Sequence, residues 1–350
     1  VTASGIPPSQ LERFAASALV RAGASAADAA AVARSLVWAD LRGRGPQGVF
    51  RLNVLIQLME HGLISSPATM LWSERSAVVH HLDAANGFGQ VAGEQAMTRA
   101  VELAKALGVG VVTVSNSNHY GAASYFCARA AEAGCMGFTC TNAAPKVAPW
   151  GATEPVFGTN PVAMGCPTPD ASAPLLVDFA SSAIAGSTVR SLTGGDGRLP
   201  PDVALDKNGE PTTDPKDIPQ GCLLPIAGPK GSALALTVEL LSGILAGAGM
   251  SHEVGPYYQT LKRSVNPGHI FAALDIARFQ PMETFLARVG DLVRTMKAAR
   301  RRTGCDEVLY PGEVRARQAA QHAREGVPLS PETVRALEGL SQRLGLERPW

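Results

Sequence analysis

The sequence has no excess of charge of either sign. Its 31 lysines and arginines face 30 aspartates and glutamates, so no broad positive field favours nucleic acid. The basic run KAARRRT at 297–303 reads as the solvated end of a helix. No two of the six cysteines, at 127, 135, 140, 166, 222 and 305, stand at CxxC spacing. That argues against a structural zinc site. Scattered free thiols suit a reducing compartment better than a disulfide framework. No stretch reads as a membrane span: the most apolar window, SALALTVELLSGILAGAGM at 232–250, carries Glu239 and many small residues. A buried helix at a domain or subunit contact explains it better. The opening VTASGIPPSQ shows no charged segment followed by an apolar one, and the expected location is cytoplasmic. Internal repeats and low-complexity linkers are also lacking. What is present is a globular composition, 46% apolar and 17% charged over 350 residues, long enough for two or three domains.

The pattern of apolar residues alternates between helical and strand spacing. Residues 9–72 read as helical, with Ser9 capping one helix and Ser25 with Asp28 forming a capping box before the next. Then come a β-rich stretch at 76–84, a helix at 89–108 ending at Gly108, a strand at 109–116, a helix at 122–134 and a strand at 135–142. This alternation is α/β with part of the sheet parallel. Residues 143–230 are rich in Pro, Gly, Thr and Asp, which points to loops that line a site. A helix at 231–248, a strand at 269–279, a long helix at 282–301 and a last helix capped by Ser330 complete the chain.

Each chemical motif has a structural reading beside the functional one. NGFGQVAG at 86–93 fits GxGxxA between a strand and a helix, a spacing that lets backbone approach a pyrophosphate. The acid expected about 20 residues on is missing, so a structural turn is the better reading. GPKGSALAL at 228–236 places Lys230 at a helix start, either an anion site or a surface lysine. Pro229 excludes a Walker loop. DFASSA at 178–183 sets Asp178 beside Ser181 and Ser182, a capped turn or a hold for phosphate or ribose. FGTNPVAMG at 157–165 and ALDKNGEPTTDP at 204–215 read as loops by composition. His119 in SNSNHYGAA follows a strand and precedes Gly121. That is where α/β folds place ligands, and imidazole can carry the proton that accompanies a hydride; a structural role stays open. The other histidines show no metal-ligand spacing, and no GxSxG elbow supports a serine hydrolase.

Taken together, ADLRG at 39–43, NGFGQVAG, SNSNHYGAA, WGATEPVFGTNPVA at 150–163, VDFASSAIAG at 177–186, LDKNGEPTTDP at 205–215, GPKGSALALTVELLSGILAGA at 228–248 and PGEVRARQ at 311–318 keep their order along nearly the whole chain. In this the sequence resembles the malate/L-lactate dehydrogenase family of the second type, with its ureidoglycolate, sulfolactate and piperideine- or pyrroline-2-carboxylate relatives. The resemblance implies an α/β fold whose mixed sheet, unlike a Rossmann unit, binds NAD or NADP. It implies a helical domain formed by both chain ends, 1–75 with 282–350, beside an α/β cofactor- and substrate-binding region at 76–281, in a homodimer. It also implies roles. His119, Gln47 and Asp178 become catalytic candidates; Arg51, Thr159 and Asn160 become substrate-binding candidates. Phe179, Ala180, Ser181, Ser182, Ala183, Lys230, Gly312 and Glu313 become cofactor-binding candidates, and no metal is expected.

The sequence departs from the family pattern at three places. Pro46, Gln47 and Gly48 stand where the family usually has SHG, whose histidine is commonly taken as the proton donor. Gln47 can hydrogen-bond but not titrate. Pro229 replaces an aromatic, and Ser187 replaces a lysine. The leading expectation is hydride transfer between nicotinamide and C2 of a small 2-oxo or 2-hydroxy acid. The alternatives are a reductase of cyclic 2-imino acids, which arrive already protonated, and a family member without turnover that binds or scaffolds. The expected partners are a small carboxylate and a second copy of the chain, with neither nucleic acid nor membrane.

Overall fold

The computed structural model describes residues 5–257 and 263–350. Helices α1 (Pro8–Arg21), α2 (Ala26–Leu41) and α3 (Leu52–Glu60) open the chain, with two 3₁₀ turns at Gly45–Gln47 and Val49–Arg51 between the last two. Ser9 is not the cap of α1. The helix begins one residue earlier with no side-chain cap, because Pro8 presets the first turn. At α2 the Ser25 hydroxyl accepts from the Asp28 amide at 3.1 Å, as the capping box requires. The Asp28 carboxylate does not return to the Ser25 amide. Ser66 stands between them: its hydroxyl accepts from Ser25 N at 2.9 Å and donates to Asp28 Oδ2 at 2.6 Å.

The sheet begins with β1 (Leu71–Ser76) and β2 (Val79–Asp83). It continues with α4 (Gly89–Leu107), β3 (Val109–Ser115), α5 (Ala123–Glu132), β4 (Cys135–Thr141), β5 (Val162–Cys166) and β6 (Leu175–Phe179). After α6 (Gly186–Thr193), the short strands β7 (Ala204–Leu205) and β8 (Cys222–Leu223) pair apart from the main sheet. Helix α7 (Pro229–Val238) runs into a π-helical segment, Glu239–Ile244. Strand β9 (His269–Asp275) and helices α8 (Met282–Ala298), α9 (Glu313–Glu325) and α10 (Pro331–Leu344) follow. The seven-stranded sheet has the order β1-β2-β3-β9-β4-β5-β6. Only β2 and β3 run parallel, and β9 is inserted antiparallel between β3 and β4. The sheet is mixed and does not have the parallel succession of a Rossmann unit.

Period-two alternation in β3 divides its residues between two layers. Val112 and Val114 face the core formed with α4 and α5, while Val111 packs with Cys140, Val162 and Ile270 beneath Val238 and Leu241. A separate core gathers α1, α2, α3 and α10 around Leu11, Leu36, Ile56 and Leu337, to which α8 contributes no residue. Ile6 and Val327 close it by a reciprocal backbone pair at 3.0 and 2.8 Å. The loop-rich stretch has its own small core of Val147, Phe157, Val203 and Leu223.

Two strands escape the composition reading. β1 is an edge strand exposed on both faces, so LWSERS carries no alternation. β5 begins inside FGTNPVAMG and runs one residue past it, with Ala163 and Cys166 buried. The apolar window at 232–250 buries Ala235, Ser242, Gly243 and Ala246 and leaves Leu236, Leu240, Ile244 and Leu245 exposed on the single chain. No described helix is long and apolar enough to cross a membrane.

The glycines of NGFG serve packing. A Cβ on Gly89 would lie 2.1 Å from the Asn118 carbonyl oxygen, so α4 meets the loop after β3 only without a side chain there. Gly89→Ala is expected to destabilise the fold by about 1–3 kcal/mol. Urea denaturation would show this as a lowered midpoint, and an unchanged midpoint would refute the close approach.

Candidate active site

The site forms where the carboxyl end of β3 meets the turn after α2. Ala84 N and Asn86 N donate to the Ser115 and Asn116 carbonyls at 3.0 and 2.7 Å, tying the two strand-end loops together. Asn118 is buried, and its amide nitrogen donates to Asn86 O at 3.2 Å and Gly87 O at 3.0 Å. This fixes the backbone that presents His119. Below it lies a histidine that spacing alone did not mark. His269 is fully buried, with its ring nitrogens 2.7 Å from Thr141 Oγ1 and 2.8 Å from Ser117 Oγ, and it stacks on Tyr120 at 4.6 Å. Burial pushes its imidazole down to about 3.

His119 Nδ1 accepts the Gly121 N–H at 3.0 Å. The neutral ring therefore carries its proton on Nε2. Burial first, then the Arg51 charge, holds the imidazole well below its ordinary value. At neutral pH His119 is thus an Nε2–H donor, not an imidazolium acid. Its ring lies 4.8 Å from that of Tyr257, and the Arg51 guanidinium lies 5.0 Å from the same ring. Tyr257 was not singled out in the sequence, yet it joins two residues that were.

Arg51 is buried, and its Nε donates to Pro46 O at 2.8 Å, closing the turn that carries Gln47. The Gln47 Oε1 is buried and has no hydrogen-bond partner among the described residues. The turn rests on Asp40. Val49 N donates to Asp40 Oδ2 at 2.7 Å, and a Cβ on Gly48 would fall 1.9 Å from Oδ1. Burial pushes the Asp40 carboxyl up to about 7, against the lowering effect of the Val49 bond. Lys146 joins this group electrostatically. Its backbone is pinned by Phe157 O and Leu223 N at 2.7 and 2.8 Å. Its ammonium is held below its ordinary value by desolvation and by the Arg190 and Arg51 charges.

The remaining candidates divide. Asp178 is the penultimate residue of β6, where its carboxylate is ion-paired with Arg44 and accepts from Ser124 N at 3.0 Å and Ser124 Oγ at 2.6 Å. It lines a cavity of about 380 Å³ together with Phe179, Gly312, Arg42, Arg44 and Arg315. Ser181 Oγ donates to the Thr159 carbonyl at 3.1 Å, Ser182 Oγ to the Ile184 carbonyl at 2.7 Å, and Ala183 N to Leu224 O at 2.8 Å. These residues, with Ala180 between them and Phe179, form a braced turn. Asn160 is fully buried. Its amide nitrogen donates to Ala235 O at 3.1 Å and Glu239 Oε2 at 2.8 Å, and its oxygen accepts from Ala143 N at 3.1 Å. Asn142 donates to the other Glu239 oxygen at 3.1 Å. Asn160 therefore builds the wall of the site, with both amide protons spent inside it. Glu313 is likewise spent on Lys297 at 2.6 Å and on Arg317. Lys230 stands exposed in the first turn of α7, and Gly312 takes a left-handed conformation at the start of α9.

A sequence profile of the family described as malate/L-lactate dehydrogenase matches residues 6–338. A malate dehydrogenase from Pyrococcus abyssi is 33% identical over 351 residues, covering 98% of this chain and 95% of that protein. A delta(1)-pyrroline-2-carboxylate/delta(1)-piperideine-2-carboxylate reductase from Pseudomonas putida is 32% identical over 97% of both chains. The crystal structure of malate dehydrogenase from Entamoeba histolytica superposes with a TM-score of 0.94 at 29% identity, over 99% of both chains.

The buried groups set an acid limit to stability. Unfolding lets His119 and His269 regain ordinary affinity for protons, so their contribution shrinks as pH falls below about 6.5. Asp40 has the opposite sign, because its folded carboxyl holds a proton that the unfolded one releases above about 4. Chemical denaturation should show stability falling from pH 6.5 to 5. In Asp40→Asn the fall should be steeper by about 1.4 kcal/mol per pH unit. Parallel curves would show that Asp40 titrates normally.

Proposed function

The chain belongs to the malate/L-lactate dehydrogenase family of oxidoreductases, and on that premise we propose that it moves a hydride between nicotinamide and C2 of a small 2-oxo or 2-hydroxy acid. The observation that carries this reading is the convergence of Arg51 and His119 on the ring of Tyr257. A guanidinium fork suits a carboxylate bidentately, and an Nε2–H suits the oxygen one carbon away. The charge of Arg190 reaches His119 and that of Arg51 reaches Lys146, and this accumulation of cations also favours an acid over a neutral substrate.

The residues present fit a nicotinamide dinucleotide. The cavity holding Phe179 and Gly312 is lined by guanidinium groups that suit phosphate oxygens. A Cβ on Gly312 would sit 2.9 Å from Leu176 N, so backbone alone occupies the start of α9. Phe179, Ala180, Ser181, Ser182 and Ala183, with Lys230 and Gly312, would hold the group, while Glu313 positions the α9 start. When bound, it supplies or takes the hydride.

The protein's own part is binding, orientation and charge control. Arg51 holds the substrate carboxylate. His119 donates from Nε2 to the carbonyl oxygen and polarises it without becoming charged, since the Gly121 bond fixes the tautomer. Gln47 adds a neutral amide from the same turn. Thr159 lines the substrate side, and Asp178 orients Ser124 and Arg44. His119 is held neutral at pH 7, so in this reading the proton that completes ketone reduction comes from water. That observation favours a second reading beside the first. A cyclic 2-imino acid arrives already protonated, and such a reductase is among the relatives. Membership in an oxidoreductase family leaves the scaffold alternative without support. Two copies in the cytoplasm complete the reading, supported by the exposed Leu236, Leu240, Ile244 and Leu245 and by free cysteines.

Stopped-flow absorbance with NADH and NADPH, against 2-oxo acids and cyclic imino acids, tests this directly. Consumption with neither substrate class would end the proposal. Arg51→Lys should raise KM at least about tenfold while kcat changes less, because a point charge loses the bidentate hold. Gln47→His should speed ketone reduction by about a hundredfold or more and leave imine reduction nearly unchanged.

A further inference from the structure

We propose that the arginine-lined cavity beside the end of β6 reads the 2′-phosphate of a phosphorylated adenine dinucleotide, so that the chain prefers NADP(H) to NAD(H). This rests on the dehydrogenase reading above and deepens it.

The cavity, about 380 Å³, is lined by three arginines, Arg42, Arg44 and Arg315, and by one carboxylate, Asp178. Arg42 lies 3.9 Å over the ring of Trp38. Arg315 donates from one terminal nitrogen to the Arg42 and Gly43 carbonyls at 3.1 and 3.2 Å, which leaves the rest of its fork available. Arg44 pairs with Asp178 and reaches Ser124 Oγ at 3.3 Å. Glu132, whose charge reaches Arg42, forms no ion pair with it among the described residues. After Asp178 neutralises Arg44, about two positive charges remain in a partly desolvated space. A phosphate monoester carries about two negative charges at neutral pH. The like charges are felt: burial and then the Arg44 charge hold Arg315 below its ordinary value, and burial pushes Arg42 down to about 10.

Two features separate the 2′-phosphate from other choices. A site for the unphosphorylated cofactor presents a carboxylate to the ribose 2′-hydroxyl, whereas an arginine accommodates the 2′-phosphate. The carboxylate lining this cavity, Asp178, is already engaged by Arg44 and by both donors of Ser124. A pyrophosphate, by contrast, is commonly met by helix N-terminal amides. The chain offers those at two helix starts: that of α9, whose Gly312 lines this cavity, and that of α7, which adds Lys230 beside them and does not line it. The three arginines come from the turn after α2 and from α9, the two segments that flank β6.

The test is fluorescence titration of the full chain with NADPH and with NADH, in the wild type and in Arg315→Ala. Arg315 is exposed on α9, so its replacement leaves the core intact. NADPH should bind at least about tenfold more tightly than NADH. Arg315→Ala should weaken NADPH by about tenfold and NADH by less than about twofold, as expected for losing one charge-assisted bond. Arg42→Ala should act in the same direction. Equal weakening of both cofactors would place the pyrophosphate here and overturn the proposal, as would equal or tighter binding of NADH by the wild type. If neither dinucleotide binds, the dehydrogenase reading fails. Calorimetry with adenosine 2′,5′-bisphosphate then decides the phosphate site alone: binding weakened by Arg315→Ala sustains it, and no binding removes it.

Discussion

The architecture of the site depends on one buried carboxylate. Glu239 opens the π-helical segment, and its two oxygens accept from Asn142 at the end of β4 and from Asn160 just before β5. Asn142 also donates to Gly249 O at 2.7 Å and accepts from Gly268 N at 2.9 Å, which reaches the start of β9. A charge taken out of water is tolerated only when its lone pairs are met. Here each amide that satisfies it comes from a different strand end. The π segment, β4, β5 and β9 therefore hold a common position, and the turn at 157–160 and the His119 loop are built on that position. Replacing either amide would leave a buried charge under-bonded, so the network fixes geometry more than it adds stability.

Much of the fold could be read from the sequence where burial is one-sided. β3, β4 and β9 stand out as apolar runs, and α4 is closed by Gly108 at a φ of 94°. The order of the strands could not be read this way. Inserting β9 between β3 and β4 joins segments more than a hundred residues apart, and no local pattern records such a partner. β1 and α9 were hidden for another reason: both are polar on nearly every face, so periodicity has nothing to show. β5 was masked by the turn residues around it.

The candidate site shows the same division. Arg51, His119 and Gln47 stood out by residue type and by likeness to a family, and the fold brings Arg51 beside the other two. Tyr257, Lys146, Arg44 and His269 were missed, since each acquires meaning only from a neighbour distant in sequence. Asn160 and Glu313 illustrate the converse: their motifs are genuine, but their polar groups are consumed in holding the backbone. One departure from the family pattern also gains sense. The turn that has Gln47 in place of a titrating histidine also supplies Arg44, and Arg44 neutralises Asp178 across the gap to β6.

The meeting of Ile6 with Val327 has a bearing on how the chain is made. The first three helices leave the ribosome long before the segment that completes their core. With roughly 300 residues still to be added at about 5–20 residues per second, the wait is on the order of 15–60 s. During that interval, until α10 emerges, the apolar faces of the nascent helices lack the partner that covers them.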